Sequence, residues 1–305
     1  MTPRTVSSAF NALLADLKLT AAQSQLVNGR LRHLSSFFES YETSRNLMVI
    51  GSYGRGTVIR RERDIDVMVV LAAKPYEARF RSSSQTDVLY WLRSALNAEY
   101  PNTKVSTRKV ALCLDLGAGF GVDLIPVFDV VEIAALSLLT RVWGAPSGAK
   151  GFYLPNGRGG WQKTNPPFHQ KLMTDADTRL DGKLKSIVRL MKLWNLREHA
   201  RLRSFHLEMM VERAWRNEKQ MPAFPLAMGM TLEAVSRLAS RSFTDPWSDG
   251  GRIDDYLDAD RRRIVVKSLQ DDAQKARKAL ELARAGNEAA ALERWSVVFG
   301  HDFPA

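Results

Sequence analysis

Apolar residues recur at two different spacings along this chain. Over residues 3–19 and 20–44 they return every three or four positions, which predicts two amphipathic helices. Between residues 47 and 128 short, unbroken apolar runs predominate, and such runs indicate buried strands. One further helix is predicted among them, near residues 84–99. The first part of the chain is therefore expected to be a sheet braced by helices.

From about residue 169 the pattern is helical almost to the end. The first long helix carries apolar residues at steps of four and three, namely Leu180, Leu184, Ile187, Met191 and Trp194. Another face of it carries Lys185, Arg189 and Lys192, and ordinary solvation is the simple interpretation of that face. The alternative is that Lys192 reaches a triphosphate. Further helices are predicted from Ser204 and over 231–241, 256–285 and 287–299.

Two stretches rich in Gly and Pro interrupt these patterns. Residues 144–169 predict a long loop, which we take as the domain boundary. The domains are then expected to be 1–165, a core with N-terminal brace helices, and 166–305, a helical lobe. Residues 221–231 predict a second loop.

The candidate chemistry concentrates in residues 47–71. An apolar run leads into Gly51-Ser52 and a turn rich in Gly and Arg, and the segment closes with Asp64-Ile65-Asp66 and a second apolar run. This order predicts strand, glycine turn, short helix and strand. Residues i and i+2 of a strand point to the same face, so Asp64 and Asp66 are expected side by side. Paired carboxylates favour a cation such as Mg²⁺, and a glycine turn before a helix favours a phosphate.

A third carboxylate, Asp123, stands inside an apolar run. Residues 104–113 and 120–128 are predicted to be strands of a hairpin, and residues 129–143 a strand or short helix. An unpaired buried charge is costly, so Asp123 is expected to have a metal or another cation as its partner. If its strand pairs beside 65–71, the three carboxylates converge. That arrangement is typical of two-metal phosphoryl or nucleotidyl transfer.

Composition narrows the class of protein. The chain has 305 residues, with a formal net charge of +11 that favours anionic partners such as nucleotides, nucleic acid or acidic lipid. It contains no apolar run near the roughly 20 residues that a membrane helix needs, and its start lacks the apolar region of a signal peptide. Cys113 is the single cysteine, which excludes an intramolecular disulfide and a cysteine-rich zinc site. We therefore expect a cytoplasmic protein.

These motifs resemble a known family. GSYGRGT followed by DID and a later VDLIP resembles the nucleotidyltransferase superfamily of the DNA polymerase β type. With IVRLMKLWN at 187–195, SFHLE at 204–208 and FGHDFP at 299–304, the chain is similar to the CD-NTases. These are bacterial relatives of animal cyclic GMP-AMP synthase and oligoadenylate synthase. The resemblance runs from about residue 47 to residue 304.

The resemblance implies an α+β fold: a polymerase β-like nucleotidyltransferase core with a mixed sheet, an N-terminal brace helix and a C-terminal helical lobe. It implies an enzyme that joins nucleoside triphosphates into a cyclic di- or trinucleotide second messenger for anti-phage defence, with release of pyrophosphate. The product would activate an effector, and a regulatory accessory protein would be a second partner. Two Mg²⁺ ions, with Mn²⁺ as a substitute, would be held by three carboxylates, those of Asp64, Asp66 and Asp123.

The resemblance also implies the nucleotide-binding residues. Gly51 and Ser52 would bind the donor triphosphate, and Lys192 and Ser204 match lobe residues at the phosphates. Phe205 falls where relatives often have a Tyr stacked on a base. For Ser204 the alternative is a helix N-cap, and for Phe205 a place in the core.

Two other functions stay open. A template-independent polymerase or tRNA nucleotidyltransferase would use the basic charge to bind RNA, although no separate RNA-binding module is visible. A catalytically idle nucleotide-binding scaffold is disfavoured by the three intact acids. Activation by double-stranded DNA through a Cys/His zinc insertion is not expected, because the chain has one cysteine and a short interval between Lys192 and Ser204. His169 and His206 are expected to be structural.

Overall fold

A sheet and a set of helices make up the structure, which is a computed structural model. It describes residues 5–40, 44–62, 64–72, 85–115, 120–130, 151–198, 201–247 and 251–304. The helices are α1 Val6–Leu17, α2 Ala21–Glu39, α3 Gly51–Arg55, α4 Gln85–Glu99, α5 Pro166–Arg179, α6 Leu184–Arg197, α7 Ser204–Trp215, α8 Phe224–Ala239, α9 Ala259–Arg284 and α10 Glu288–Phe299. The strands are β1 Ser44–Val49, β2 Asp64–Leu71, β3 Lys104–Thr107, β4 Leu112–Asp115, β5 Gly121–Asp129, β6 Phe152–Pro155 and β7 Trp161–Thr164.

The strands of the described residues form one mixed sheet in the order β1-β2-β5-β4-β3. β2 and β5 run parallel, whereas β1, β3 and β4 are antiparallel to their neighbours. The end of β5 also pairs with β6, which forms a hairpin with β7. The central strands are buried because both are apolar along most of their length; Val67, Val69 and Leu124 have no exposed surface.

The chain divides into two compact units, each made of separate segments. The sheet unit consists of residues 20–54 and 62–170. Within it, α2 packs on β1 and α4 packs on β3. Thr20 and Gln23 form a capping box at the start of α2, as the sequence predicts.

The helical unit consists of residues 1–19, 55–61 and 171–305. Phe10 of α1 is fully buried, and its ring meets the rings of Trp295, Phe299 and Phe303 edge-on at 4.8 to 5.7 Å. Helix α1, which the sequence assigned to the 1–165 core, therefore packs within the helical unit instead. The physical reason is that its apolar face is complementary to the aromatic residues near the end of the chain.

Several predicted elements are wrong in detail. The loop expected over 144–169 contains the β6–β7 hairpin, where Trp161 packs against Phe128 at 5.2 Å, and then the first residues of α5. The loop expected over 221–231 is mostly the first half of α8, because Pro225 lies in the first turn, where its missing N–H costs nothing.

Two further boundaries differ from the prediction. The strand expected over 104–113 is two strands, β3 and β4, joined by a turn at 108–111. Leu180 precedes α6 rather than lying in it, since Asp181 and Gly182 adopt positive φ values of 54° and 70°. The element expected over 129–143 lies largely outside the described residues. No helix in the described part of the chain is long and apolar enough to cross a membrane.

Candidate active site

The parallel pairing of β2 with β5 brings the predicted carboxylates together. Asp66 lies directly opposite Asp123 in the register, and Asp64 lies opposite Gly121. Lateral neighbours in a sheet point to the same face, and so do residues two apart in a strand. Asp64, Asp66 and Asp123 therefore share one face, next to a glycine that leaves room beside Asp64. The side chain of Asp64 is half exposed, whereas that of Asp123 is only 13% exposed.

The glycine turn adjoins this carboxylate group. The amide of Ile50 donates to the carbonyl of Asp66 at 2.9 Å, which ties the end of β1 to β2. Gly51 then begins α3 with φ +63°, and a β-carbon at this position would overlap the Asp66 carboxylate. Only glycine therefore permits this close approach. Ser52 follows as a buried residue of α3.

A cation that sequence reasoning missed contacts two of the carboxylates. Nη1 of Arg108 lies 3.1 Å from Oδ2 of Asp123 and 3.5 Å from Oδ2 of Asp64. Arg108 is in the turn between β3 and β4, and its amide donates to the carbonyl of Ala111 at 2.8 Å. No motif marks this residue in the sequence. The signal was its position in the hairpin that neighbours the strand of Asp123.

Cys113 is also a neighbour of the carboxylates. It lies opposite Asp123 in the β4–β5 ladder. Burial, the hydrogen bond to Asp123 and the negative charge of that residue raise the pKa of the Cys113 thiol to about 12. The thiol is therefore protonated at neutral pH and acts as a donor to Asp123.

The donor set fits a hard divalent cation. Three carboxylates on one face offer the oxygen ligands that Mg²⁺ prefers. Oδ1 of Asp123 is buried and has no hydrogen-bond partner, which leaves an acceptor for a cation. Even so, among the described residues no three His, Cys, Asp or Glu side chains already surround a single point. The positive charge beside these carboxylates comes from Arg108, which contacts Asp123 and Asp64.

A second charged group lies within the helical unit, around Glu208 of α7. The Glu208 carboxylate has no exposed surface and accepts from Nε of Arg55 at 2.7 Å and from Oγ1 of Thr57 at 2.7 Å. Nζ of Lys192 lies 3.4 Å from it and donates to the carbonyl of Thr57 at 3.3 Å. Burial raises the pKa of Glu208, but the charges of Arg55 and Lys192 and the hydrogen bonds outweigh it and lower the pKa to about 2.

This group corrects the interpretation of the basic face of α6. Lys192 is only 3% exposed, and Arg189 donates to the carbonyls of Gly56 at 2.6 Å and Val58 at 3.3 Å. The face is therefore not a solvated one. It binds the segment 55–61, whose backbone carbonyls need donors because the segment is not part of a helix or strand beyond Arg55.

The other predicted residues of the helical unit lie at the start of α7. Ser204 is exposed and is the first residue of the helix, whereas Arg203 is its N-cap, so the N-cap alternative for Ser204 is wrong. Phe205 is partly buried, and the guanidinium of Arg55 lies 5.3 Å from its ring centroid. Phe205 is thereby connected through Arg55 to the Glu208 group.

Both histidines considered as bases are buried. Nδ1 of His206 shares a hydrogen bond of 3.0 Å with the hydroxyl of Tyr256. Burial, together with the charge of Arg262, lowers the pKa of His206 to about 4 although Asp254 opposes this. His206 is therefore neutral at physiological pH. His169 is 2% exposed and packs edge-on against Phe168 at 5.6 Å.

Sequence relatives point to one family. Residues 4–137 match the family model SMODS, the Second Messenger Oligonucleotide or Dinucleotide Synthetase domain. A protein of Bacillus cereus (strain VD146) named "Probable cyclic nucleotide synthase" is 22% identical over 306 residues, which cover 91% of this chain and 88% of that protein. A "CBASS oligonucleotide cyclase CdnC" of Escherichia coli (strain KTE188) is 26% identical over 178 residues, which cover 55% of this chain and 50% of the relative.

Solved structures agree with the fold. CdnC of E. coli MS115-1 has been solved with ATP and in a complex named CdnC:HORMA-deltaN. Both structures have a TM-score of 0.77 and 17% identity; each match covers 98% of this chain and at least 98% of the CdnC chain. At that identity the likeness establishes the fold, here the polymerase β-like nucleotidyltransferase core with its helical lobe. Residues 4–137 therefore match the SMODS domain, and the chain is similar in sequence to a protein named as a cyclic nucleotide synthase and in fold to CdnC.

Proposed function

We propose that this protein joins nucleoside triphosphates into a cyclic di- or trinucleotide and releases pyrophosphate. The observation that carries the proposal is the register of β2 and β5, which sets Asp66 beside Asp123 with Asp64 on the same face. Nucleotidyl transfer needs carboxylates in this arrangement, and the SMODS match supports a second-messenger product.

The three carboxylates have the central role in this proposal. Asp64, Asp66 and Asp123 hold two Mg²⁺ ions, for which Mn²⁺ is a substitute. Bound there, the ions supply the positive charge that activates an attacking hydroxyl and stabilises the leaving pyrophosphate. The buried, unpartnered Oδ1 of Asp123 supports its role as a ligand. The role of Asp66 is also supported by Gly51, because a β-carbon at Gly51 would overlap the Asp66 carboxylate.

Five residues have nucleotide-binding roles in this proposal. Gly51 and Ser52 bind the donor triphosphate, Lys192 and Ser204 contact phosphates, and Phe205 stacks on a base. The role of Lys192 is supported by charge, because its ammonium and the guanidinium of Arg55 both bring positive charge to this group. The structure of CdnC with ATP supports a nucleoside triphosphate as the substrate class.

We extend the proposal to the biological setting. The name of the E. coli relative, a CBASS oligonucleotide cyclase, supports anti-phage defence with a product-activated effector downstream. The CdnC:HORMA-deltaN complex supports regulation by an accessory protein. A cytoplasmic location is consistent with a single cysteine.

The test is product analysis. Purified protein is incubated with all four labelled ribonucleotides and Mg²⁺, treated with phosphatase, and the surviving product is identified by mass. We expect phosphatase-resistant product from the wild type and none from Asp64→Asn/Asp66→Asn. Asp175→Asn is the matched control, because Asp175 is an exposed residue of α5 paired only with Lys171 among the ion pairs of the described residues.

Three outcomes would overturn the proposal. Phosphatase-sensitive linear chains, or tails on added RNA, would favour the template-independent polymerase. Equal amounts of product from the wild type and the double variant would show that the carboxylates of Asp64 and Asp66 are not required for the reaction. Absence of product both alone and with an accessory protein or phage lysate would favour the idle scaffold.

A further inference from the structure

We propose that Arg108 is an internal counter-ion that occupies the cation position of the carboxylate group and competes with Mg²⁺ for it. The inference rests on the proposed function for the identity of the metal. It concerns what controls metal binding, which the roles assigned to Asp64, Asp66 and Asp123 leave open.

The geometry at a single nitrogen carries the inference. Nη1 of Arg108 contacts one oxygen of Asp123 at 3.1 Å and one oxygen of Asp64 at 3.5 Å. A cation shared by two carboxylates is expected at such a point. With the guanidinium there, the described residues show no group of three ligands around one centre. Nη1 occupies Oδ2 of both carboxylates, so a divalent ion that binds these two oxygens has to displace it.

Neighbouring carboxylates also need a counter-ion when no metal is bound. Like charges on adjacent strands repel, and the repulsion destabilises the sheet. Arg108 relieves this repulsion in the metal-free protein. One guanidinium does not neutralise three carboxylates, so the group still attracts a divalent cation.

Arg108 is placed so that its side chain alone has to move. Its backbone is fixed in the turn by the hydrogen bond to Ala111. Its side chain is 55% exposed, so the released guanidinium passes into water rather than into a buried site. Exposed ion pairs are weak, and we therefore expect competition that lowers metal affinity by about two- to tenfold rather than abolishing it.

The experiment measures Mn²⁺ binding to the full chain without nucleotide, by the loss of the electron paramagnetic resonance signal of free Mn²⁺. We expect Arg108→Gln to bind Mn²⁺ about two- to tenfold more tightly than the wild type, and Arg108→Lys, which keeps the charge, to lie between them. Lys109→Gln is the matched control: it removes the same charge from the adjacent exposed residue, and it measures the effect of net charge alone.

A second readout tests the counter-ion role directly. In EDTA the unfolding midpoint of Arg108→Gln should lie below that of the wild type, and added Mn²⁺ should raise it by more than it raises the wild-type midpoint. Lys109→Gln should follow the wild type in both conditions.

The outcomes separate this inference from the proposed function. If Arg108→Gln binds Mn²⁺ no more tightly than Lys109→Gln, while Asp66→Asn loses binding, the competition is wrong and the metal site stands. If neither the wild type nor Arg108→Gln binds Mn²⁺ at millimolar concentration, the metal site itself is wrong, and both proposals fail.

Discussion

At the scale of single residues, Glu208 shows how a buried charge is tolerated. Its carboxylate has no exposed surface, yet it accepts from Arg55 and Thr57 and lies beside Lys192. Removing one partner of such a group leaves the other charges buried without a counter-ion. The resulting loss of stability usually exceeds the net stabilisation that the intact group provides. Glu208 therefore controls whether α6, α7 and the segment 55–61 remain together.

We predict that Glu208→Gln lowers the free energy of unfolding by about 3–5 kcal/mol, because Arg55 and Lys192 lose their counter-ion. Glu233→Gln is the control; Glu233 is half exposed and pairs with Arg237 at 2.9 Å. Its loss should change the free energy by about 0.5 kcal/mol or less. Urea denaturation of both variants measures the difference. Equal effects would show that the Glu208 group does not stabilise the unit.

We also predict that the difference in stability between the wild type and Glu208→Gln depends on pH. The pKa of Glu208 is lowered from 4.5 to about 2, so its stabilising effect is complete above pH 4.5 and is lost as the pH falls toward 2. The wild type should therefore lose its advantage over Glu208→Gln across that interval and keep it unchanged from pH 4.5 to 7. Denaturation series at several pH values measure this advantage.

At the scale of elements, α3 is a five-residue helix held by close backbone contacts. Gln170 donates to the carbonyl of Val49 at 2.7 Å and passes against Gly54. A β-carbon on Gly54 would lie 2.6 Å from that same carbonyl oxygen. The glycine therefore allows α3 to start directly after β1, and this fixes Gly51 beside Asp66.

We predict opposite effects for two glycine substitutions in the sheet unit. Gly54→Ala should destabilise by about 1–3 kcal/mol, because the β-carbon meets the backbone carbonyl of Val49 as well as the Gln170 side chain. Gly29→Ala in α2, where a β-carbon meets nothing within 4 Å, should stabilise by about 1 kcal/mol through helix propensity. Thermal unfolding measures both. Stabilisation by Gly54→Ala would contradict the close approach.

At the scale of the whole molecule, neither compact unit is a continuous stretch of chain. The helical unit needs α1 and residues 55–61 in addition to residues 171–305. Phe10 fills an aromatic cluster with Trp295, and Thr57 and Arg55 satisfy Glu208. A fragment cut at one boundary therefore lacks parts of its own core.

We predict that residues 166–305 expressed alone do not unfold cooperatively, because the missing segments leave the Phe10 site empty and Glu208 without Arg55 and Thr57. Circular dichroism and calorimetry measure cooperativity, with the full chain as the reference. A peptide of residues 1–19 added in excess should raise the unfolding midpoint, whereas the same peptide with Phe10→Ala should not. A cooperative transition of the fragment at the full-chain midpoint would contradict the prediction.

Much of the fold was predictable because it depends on local patterns. The capping box at Thr20, the strand after Asp64 and the helix from Ser204 were predicted from neighbouring residues, and the structure confirms each. The errors arose where local signals conflict with tertiary packing. Pro225 and Gly229 suggested a loop, but the proline lies in the first turn of α8 and Gly229 packs against Leu280.

The sequence by itself determined the types of chemical group and their order along the chain: the glycine turn, the Asp64 and Asp66 pair, and the isolated Asp123. A period of two places Asp64 and Asp66 on one face without further information. Only the tertiary structure decided that β2 pairs in parallel with β5, that Arg108 reaches the carboxylates, and that Lys192 is buried against Glu208. These contacts join residues 15 to 57 positions apart in the sequence. Chain folding, rather than local pattern, selects such partners.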